Sequence, residues 1–274
     1  MRLDGKTVLL TGATGGLGRA ISTALAQRGA TLVLSSRKGE ELEALASSLP
    51  GEEHRTVVAD LAVEGAAERL ASEAGEVDGL VANAGLSGTG RLEDFTEDQL
   101  CQTLRVNLEA PIRMARLLAP PMAERGEGHV VFIASLAGKA ASPHSSLYNA
   151  TKFGLRGFAL ALRTDLAPRG VGVSIVSPGF VREAGLFARS GASDGGLGTT
   201  TPQRVAAGVV RAIERDRAEV AVGPLRQRAL SHLALATPGI SARIQSGARA
   251  QRIAGGVDAG HRTGAPAGGE PSEP

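Results

Sequence analysis

The chain has 274 residues, 42% hydrophobic and 21% charged, with one cysteine and a formal net charge of +2. That length and balance suit one large or two small soluble domains and exclude disorder of the whole chain. Cys101 alone cannot form an intrachain disulfide or a Cys-based zinc site, and no basic run is interleaved with aromatics as a nucleic-acid binder would require.

The opening MRLDGKTVLLTG lacks a long apolar stretch ahead of a small-residue cleavage site, and no segment reaches about 18 uninterrupted apolar residues. A cytoplasmic location is therefore expected. Short β-branched or Leu-rich runs then alternate with helical periods. A strand over Thr7 to Leu10 leads to a helix over Gly16 to Arg28, a strand over Thr31 to Ser35 to a helix over Gly39 to Leu49, and a strand over Arg55 to Ala59 to a helix over Val63 to Ala74. Gly79 to Ala82 is the fourth strand. A long helical stretch, Glu97 to Glu124, is expected to break near Pro111, and His129 to Ala134 is the fifth strand. Helix Ser146 to Ala167, strand Val171 to Val176, helix Thr201 to Asp216 and strand Glu219 to Val222 complete the series. Runs such as HVVFIA are apolar on both faces, as covered parallel strands must be. The expected fold is α/β: a Rossmann-type, doubly wound parallel sheet of about seven strands in a single domain, residues 1–223.

Residues 183–200 are rich in Gly and Ser and exceed the usual connection of about 2 to 6 residues, which predicts a mobile lid whose Leu186 and Phe187 point to an apolar substrate. Residues 224–263 carry a Leu/Ala stripe among arginines and predict a helical extension; 264–274, rich in Gly and Pro, predict disorder. The Leu/Arg extension would suit a membrane surface, but a cap on the substrate cleft or a subunit interface fits it better.

After the first strand stands Thr11-Gly12-Ala13-Thr14-Gly15-Gly16-Leu17-Gly18. Glycines 12, 16 and 18 permit a tight turn, close approach of a pyrophosphate to the helix N-terminus and close helix packing. With so many glycines the spacing arises by chance about 0.7 times per chain, so its place between first strand and first helix carries the reading. The second strand ends in Ser36 and Arg37 rather than an acid, which favours NADP(H) over NAD(H), the alternative being a solvated Arg37. Asp60 ends the third strand beside the expected adenine site, and Asn83 ends the fourth, where the strand order reverses. Tyr148, the only tyrosine, lies one helical turn from Lys152. A neighbouring ammonium and a positive nicotinamide would favour the phenolate and make Tyr148 a proton donor and acceptor. Ser135, just past the fifth strand, reads either as a holder of a substrate oxygen or as a turn cap. His144 is read as a solvated loop residue and Cys101 as an ordinary helix position.

TGATGGLG, Asp60, Asn83-Ala84-Gly85, Asn107, Ser135, Tyr148-x-x-x-Lys152 and Pro178-Gly179 together resemble the short-chain dehydrogenase/reductase family in its compact single-domain form, over residues 4 to 222. The resemblance implies NAD(P)-dependent interconversion of a ketone and a secondary alcohol on a small-molecule substrate, and a homo-oligomer. It implies a tetrad in which Tyr148 exchanges the proton, Ser135 orients the carbonyl, Lys152 binds the nicotinamide ribose and lowers the tyrosine pKa, and Asn107 supports a water-linked relay. Along the dinucleotide it places Gly12, Thr14, Gly16, Leu17, Gly18, Ser36, Arg37, Asp60, Leu61, Asn83, Tyr148, Lys152, Pro178, Gly179 and Val181. No metal is implied. Two positions depart from the family: Glu183 stands where a carboxamide-holding Thr is usual, and Gly15 where many NADP-preferring members carry a basic residue. A regulator that binds dinucleotide without turnover is the rival reading, against which the intact Ser, Tyr and Lys speak.

Overall fold

The computed structural model describes residues 1–190, 194–245, 247 and 254–255. Strands β1 (Thr7–Thr11), β2 (Thr31–Ser36), β3 (Arg55–Val58), β4 (Gly79–Ala82), β5 (Gly128–Ile133), β6 (Val171–Pro178) and β7 (Glu219–Val222) form one parallel sheet in the order β3-β2-β1-β4-β5-β6-β7. The order reverses between β1 and β4, so the loops at their C-terminal ends diverge and open a crevice, the expected ligand position in such a sheet. The predicted strands are all present, most with an end moved by a residue or two.

Helices α1 (Gly16–Ala26), α2 (Gly39–Ser48), α3 (Ala66–Ala74), α4 (Glu97–Leu104), α5 (Ala110–Arg125), α6 (Ser146–Leu166), α7 (Gly185–Ser190), α8 (Pro202–Glu214), α9 (Leu225–Ala236) and α10 (Pro238–Gln245) make the crossovers and the C-terminal extension. Local chemistry sets their starts. Thr96 and Gln99 form a reciprocal cap on α4, and Thr201 caps α8 ahead of Pro202, whose missing N–H is harmless in a first turn.

The expected break near Pro111 is instead a five-residue wide turn, Arg105–Glu109, joining α4 to α5. Pro111 has no N–H to offer the Asn107 carbonyl, and its ring would crowd an α-helical turn. Widening lets the Ala110 N–H reach the Arg105 carbonyl and puts Pro111 in the first turn of α5.

Each face of the sheet has its own apolar core. On one, Leu9, Leu80, Val130 and Phe132 meet Leu70 of α3, Met114 and Leu118 of α5 and Leu155 and Ala159 of α6. On the other, Val8, Leu10, Val81 and Val131 meet Ile21 and Leu25 of α1, Leu42 of α2 and Val205 and Val209 of α8. Adjacent residues of one strand thus point into different cores, which is why both alternating positions are apolar. Among the described residues no helix is long and apolar enough to cross a membrane.

The expected lid contains α7, and Val181 pairs with Thr200 in a parallel bridge that brings its ends together. Residues 191–193 of that stretch, the 264–274 tail and most of 246–263 lie outside the described residues. The described part of the extension holds the helices α9 and α10.

Candidate active site

A cleft of about 1200 Å³ runs along the C-terminal ends of the strands. Its first wall is the glycine loop. Gly12 sits at φ +64°, where a Cβ would lie 2.9 Å from the Ala84 Cα, and a Cβ on Gly18 would overlap the Gly12 carbonyl oxygen. Asn83 braces the loop: its Nδ2 donates to the carbonyls of Thr11 at 2.9 Å and Gly12 at 3.1 Å. Thr11 Oγ1 accepts from the Asn83 and Ala84 N–H groups at 3.0 and 3.1 Å, a role that its place in a strand gave no hint of. Thr14, Gly16, Leu17 and Gly18 face the cleft. Helix α1 has no side-chain cap and no acid in its first turn, which leaves its N-terminal N–H groups suited to an anion.

At the far end, Ser36 Oγ accepts from the Lys38 N–H, while Arg37 is half exposed and its guanidinium lies 3.9 Å from Asp60. Lys38 is engaged by Glu41 at 2.6 Å. Asp60 itself accepts from the Ala62 N–H, and Leu61 beside it is buried. An uncapped helix end, a glycine cradle with no room for a Cβ and an exposed guanidinium together fit a dinucleotide phosphate chain.

The other end is built by β5, β6 and α6. Ser135 leaves β5 and its Oγ accepts from the Ala137 N–H at 3.1 Å, so it does cap the short turn Leu136–Gly138, while also lining the cleft. Asn149 holds that turn from α6, its Nδ2 donating to the carbonyls of Ala137 and Ala140 at 2.6 and 3.1 Å. Its adjacency to Tyr148 was the available signal, and sequence reasoning missed it. Tyr148 and Lys152 project from one face of α6, with Lys152 Nζ 5.7 Å from the Tyr148 ring centre and donating to the Ile133 carbonyl at 3.0 Å.

Burial disfavours both charges. It lowers the Lys152 pKa to about 8, and it raises that of Tyr148, with Ser135 pulling the other way. The lowered tyrosine pKa expected from the sequence presumed a positive nicotinamide; in the chain alone desolvation outweighs the hydrogen bond.

Asn107 does not itself line the cleft. Its side chain is buried and spent on the backbone of Leu86, with Oδ1 accepting at 2.7 Å and Nδ2 donating at 3.0 Å, and it contacts Thr151 rather than the cleft. The amide thereby braces the loop after β4 against the wide turn.

Pro178 and Gly179 close the base. The Gly179 N–H donates to the Val222 carbonyl at 2.8 Å, and Val181 pairs with Thr200. Glu183 is exposed at φ +68°, ion-paired with Arg182 at 3.3 Å and off the cleft wall, so it does not replace the usual Thr. The remaining wall mixes apolar side chains, Leu136, Phe180, Phe187, Leu230, Leu233 and Ile240, with polar ones such as Ser142, Ser231 and Thr237. Phe180 and Phe187 stack with ring centres 4.4 Å apart. The Leu186 side chain lies outside the described residues. Cys101 is exposed on α4, and neither it nor His144 lines the cleft.

Fold and site define a dinucleotide-dependent oxidoreductase. The family model of the short chain dehydrogenases matches residues 6–194, and the chain belongs to the short-chain dehydrogenase/reductase family. It is 37% identical to the ketoacyl reductase HetN of a Nostoc species over 248 residues, covering 87% of this chain and 86% of that one. It is 33% identical to the dehydrogenase/reductase SDR family member 7B of Bos taurus over 266 residues, with 89% and 82% covered. Among solved structures, a short-chain dehydrogenase from Sphingobium yanoikuyae in complex with NADPH superposes with a TM-score of 0.76 at 27% identity, covering 89% of this chain and 98% of that one. The chain is therefore an NAD(P)-dependent oxidoreductase acting on the alcohol or carbonyl group of a small molecule.

Proposed function

We propose that the chain prefers NADP(H) and interconverts an apolar ketone and its secondary alcohol, with Tyr148 as the proton donor and acceptor. The observation that carries this is the single cleft joining the glycine loop and Arg37 at one end to Ser135, Tyr148 and Lys152 at the other. Arg37 suits a ribose 2′-phosphate, and the tip of β2 offers no carboxylate of its own to a ribose hydroxyl. The NADPH complex of the Sphingobium yanoikuyae relative supports the preference.

A dinucleotide held by the glycine loop and Arg37 would supply the hydride needed at the carbonyl carbon, or accept the one leaving the alcohol carbon. In reduction, Tyr148 Oη gives its proton to the carbonyl oxygen as negative charge grows there, and Ser135 Oγ donates a hydrogen bond to the same oxygen. The Lys152 ammonium offsets charge on the phenolate left behind, and the phenol regains a proton before the next turnover. Oxidation runs the same steps backwards. The apolar side chains of the outer wall hold the hydrocarbon part of the substrate and keep water from the reacting carbon.

The test is a panel of ketones and alcohols with NADPH and NADH, following absorbance of the reduced cofactor, alongside Tyr148→Phe. The expected result is turnover of apolar ketones with NADPH and a loss of about a hundredfold or more in the variant. Cofactor binding without turnover of any carbonyl would favour a non-catalytic dinucleotide-binding regulator.

A further inference from the structure

The C-terminal extension reaches into the cleft through Gln227, at the start of α9. Its side chain is buried, unusual for glutamine. Oε1 accepts from the Phe180 N–H at 3.1 Å, and Nε2 donates to the Gly198 carbonyl. Phe180 lies where the chain leaves β6 for the lid, and Gly198 lies where it returns towards α8. One planar amide thus ties the departure to the return, next to the Val181–Thr200 bridge that closes the same neck. A Cβ on Gly179 would overlap Gln227 Oε1, so a glycine there is what lets the amide reach the loop. From Gln227 the same face of α9 carries Leu230, Ser231 and Ala234, three, four and seven residues on, and all three line the cleft.

We propose that Gln227 is a positioning residue that couples the dinucleotide-binding segment Pro178–Val181 to the substrate wall. It fixes the two ends of the lid and the setting of α9, so that order imposed on Gly179 by bound dinucleotide passes to the wall formed by Leu230 and Ala234. The inference rests on the proposed placement of dinucleotide and carbonyl in this cleft. It accounts for the extension as part of the active site, although it lies beyond the matched family region, residues 6–194.

The experiment uses the full chain and two variants, Gln227→Ala and Gln227→Glu. Glutamate keeps an acceptor for the Phe180 N–H but sets a carboxylate oxygen against the Gly198 carbonyl. Amide hydrogen exchange is read with and without NADPH, together with the KM for a ketone turned over in the panel and the Kd for NADPH. In the unaltered chain NADPH is expected to slow exchange in residues 225–236 as well as 178–184. In Gln227→Ala the slowing persists at 178–184 but is lost at 225–236. With two hydrogen bonds removed, the ketone KM rises about tenfold while kcat and the NADPH Kd stay within about twofold. Gln227→Glu, which keeps its fit to Phe180, shows the loss of coupling should the alanine variant fail to fold. Equal slowing at 225–236 in a folded variant, or an unchanged ketone KM, overturns the proposal. Absence of turnover with every carbonyl would count against the proposed reaction alone, and the exchange data would still decide this inference.

Discussion

Replacing Glu219 by Gln is expected to destabilise the chain far more than replacing the lysine it pairs with. Glu219 opens β7, and Lys139 Nζ lies 3.1 Å from its Oε1. Arg156 reaches both carboxylate oxygens at 3.1 Å, and Ser177 Oγ donates to Oε1 at 3.3 Å. Burial pushes the Glu219 carboxyl up, but the Arg156 hydrogen bond and the charge of Lys139 outweigh it and hold the pKa below the ordinary value. The Lys139 side chain is 1% exposed and that of Arg156 19%. In Glu219→Gln the arginine can turn to water, whereas the ammonium is left buried without a counter-charge, a situation that costs about 3–5 kcal/mol. At about 2–4 °C per kcal/mol for a chain of this size, the melting temperature should fall by about 6–20 °C. Lys139→Met leaves the Arg156–Glu219–Ser177 group intact and should cost about 1 kcal/mol or less. Adding Lys139→Met to Glu219→Gln should then restore stability, because the stranded charge is gone. Differential scanning calorimetry of the four proteins reads this cycle directly. Equal losses in the two single variants, or additive losses in the double variant, would refute the reasoning.

Three further outcomes are expected. In a chain without Trp, phenolate absorbance reports Tyr148 alone; its midpoint should lie above the ordinary phenol value in the free chain and fall on addition of NADP⁺, and an ordinary midpoint in the free chain would contradict burial as the controlling cause. Arg37→Ala should weaken NADPH about tenfold to a hundredfold and leave NADH within about twofold, as read by cofactor titration; equal effects on both would assign Arg37 a merely structural part. His129 is buried against Ser174, and desolvation lowers its pKa from 6.5 to about 4. Because the unfolded chain binds that proton more readily, stability is full above about pH 6.5, declines as the pH falls and levels off below about 4, by about 3 kcal/mol in all. Urea titrations across that range should show the decline, and His129→Gln should flatten it.

The sheet was legible because its signals are short in range: apolar runs three to six residues long, separated by glycine turns and helical periods, need no partner to be recognised. The same holds for Tyr148 and Lys152, which one helical turn brings together. Pro111 shows where local rules mislead, since a missing N–H can be absorbed by a wider turn upstream instead of a break. Asn107 was placed by resemblance, and only the fold reveals that both ends of its amide serve Leu86. Glu219 and Lys139 stand 80 positions apart in sequence and carry no local pattern that would pair them. The Leu and Arg content of the extension suggested a cap on the cleft or a subunit interface but could not single out Gln227, because what matters about it is a pair of backbone partners on a distant loop.

The two cores divide the chemistry as well as the packing. The helix that bears Tyr148 and Lys152 rests on the layer of Met114, Leu118 and Leu155, while the phosphate-facing helix rests on the layer of Ile21, Leu25 and Val209 across the sheet. Side chains of one layer do not cross to the other, so packing faults sort by face. A cavity made at Leu155 is therefore expected to disturb the setting of Tyr148 and Lys152 first, whereas one made at Leu25 is expected to disturb the glycine loop first. The sheet works as a bulkhead, and ageing or mutational damage to this enzyme should register as one of two distinct kinetic phenotypes before it registers as unfolding.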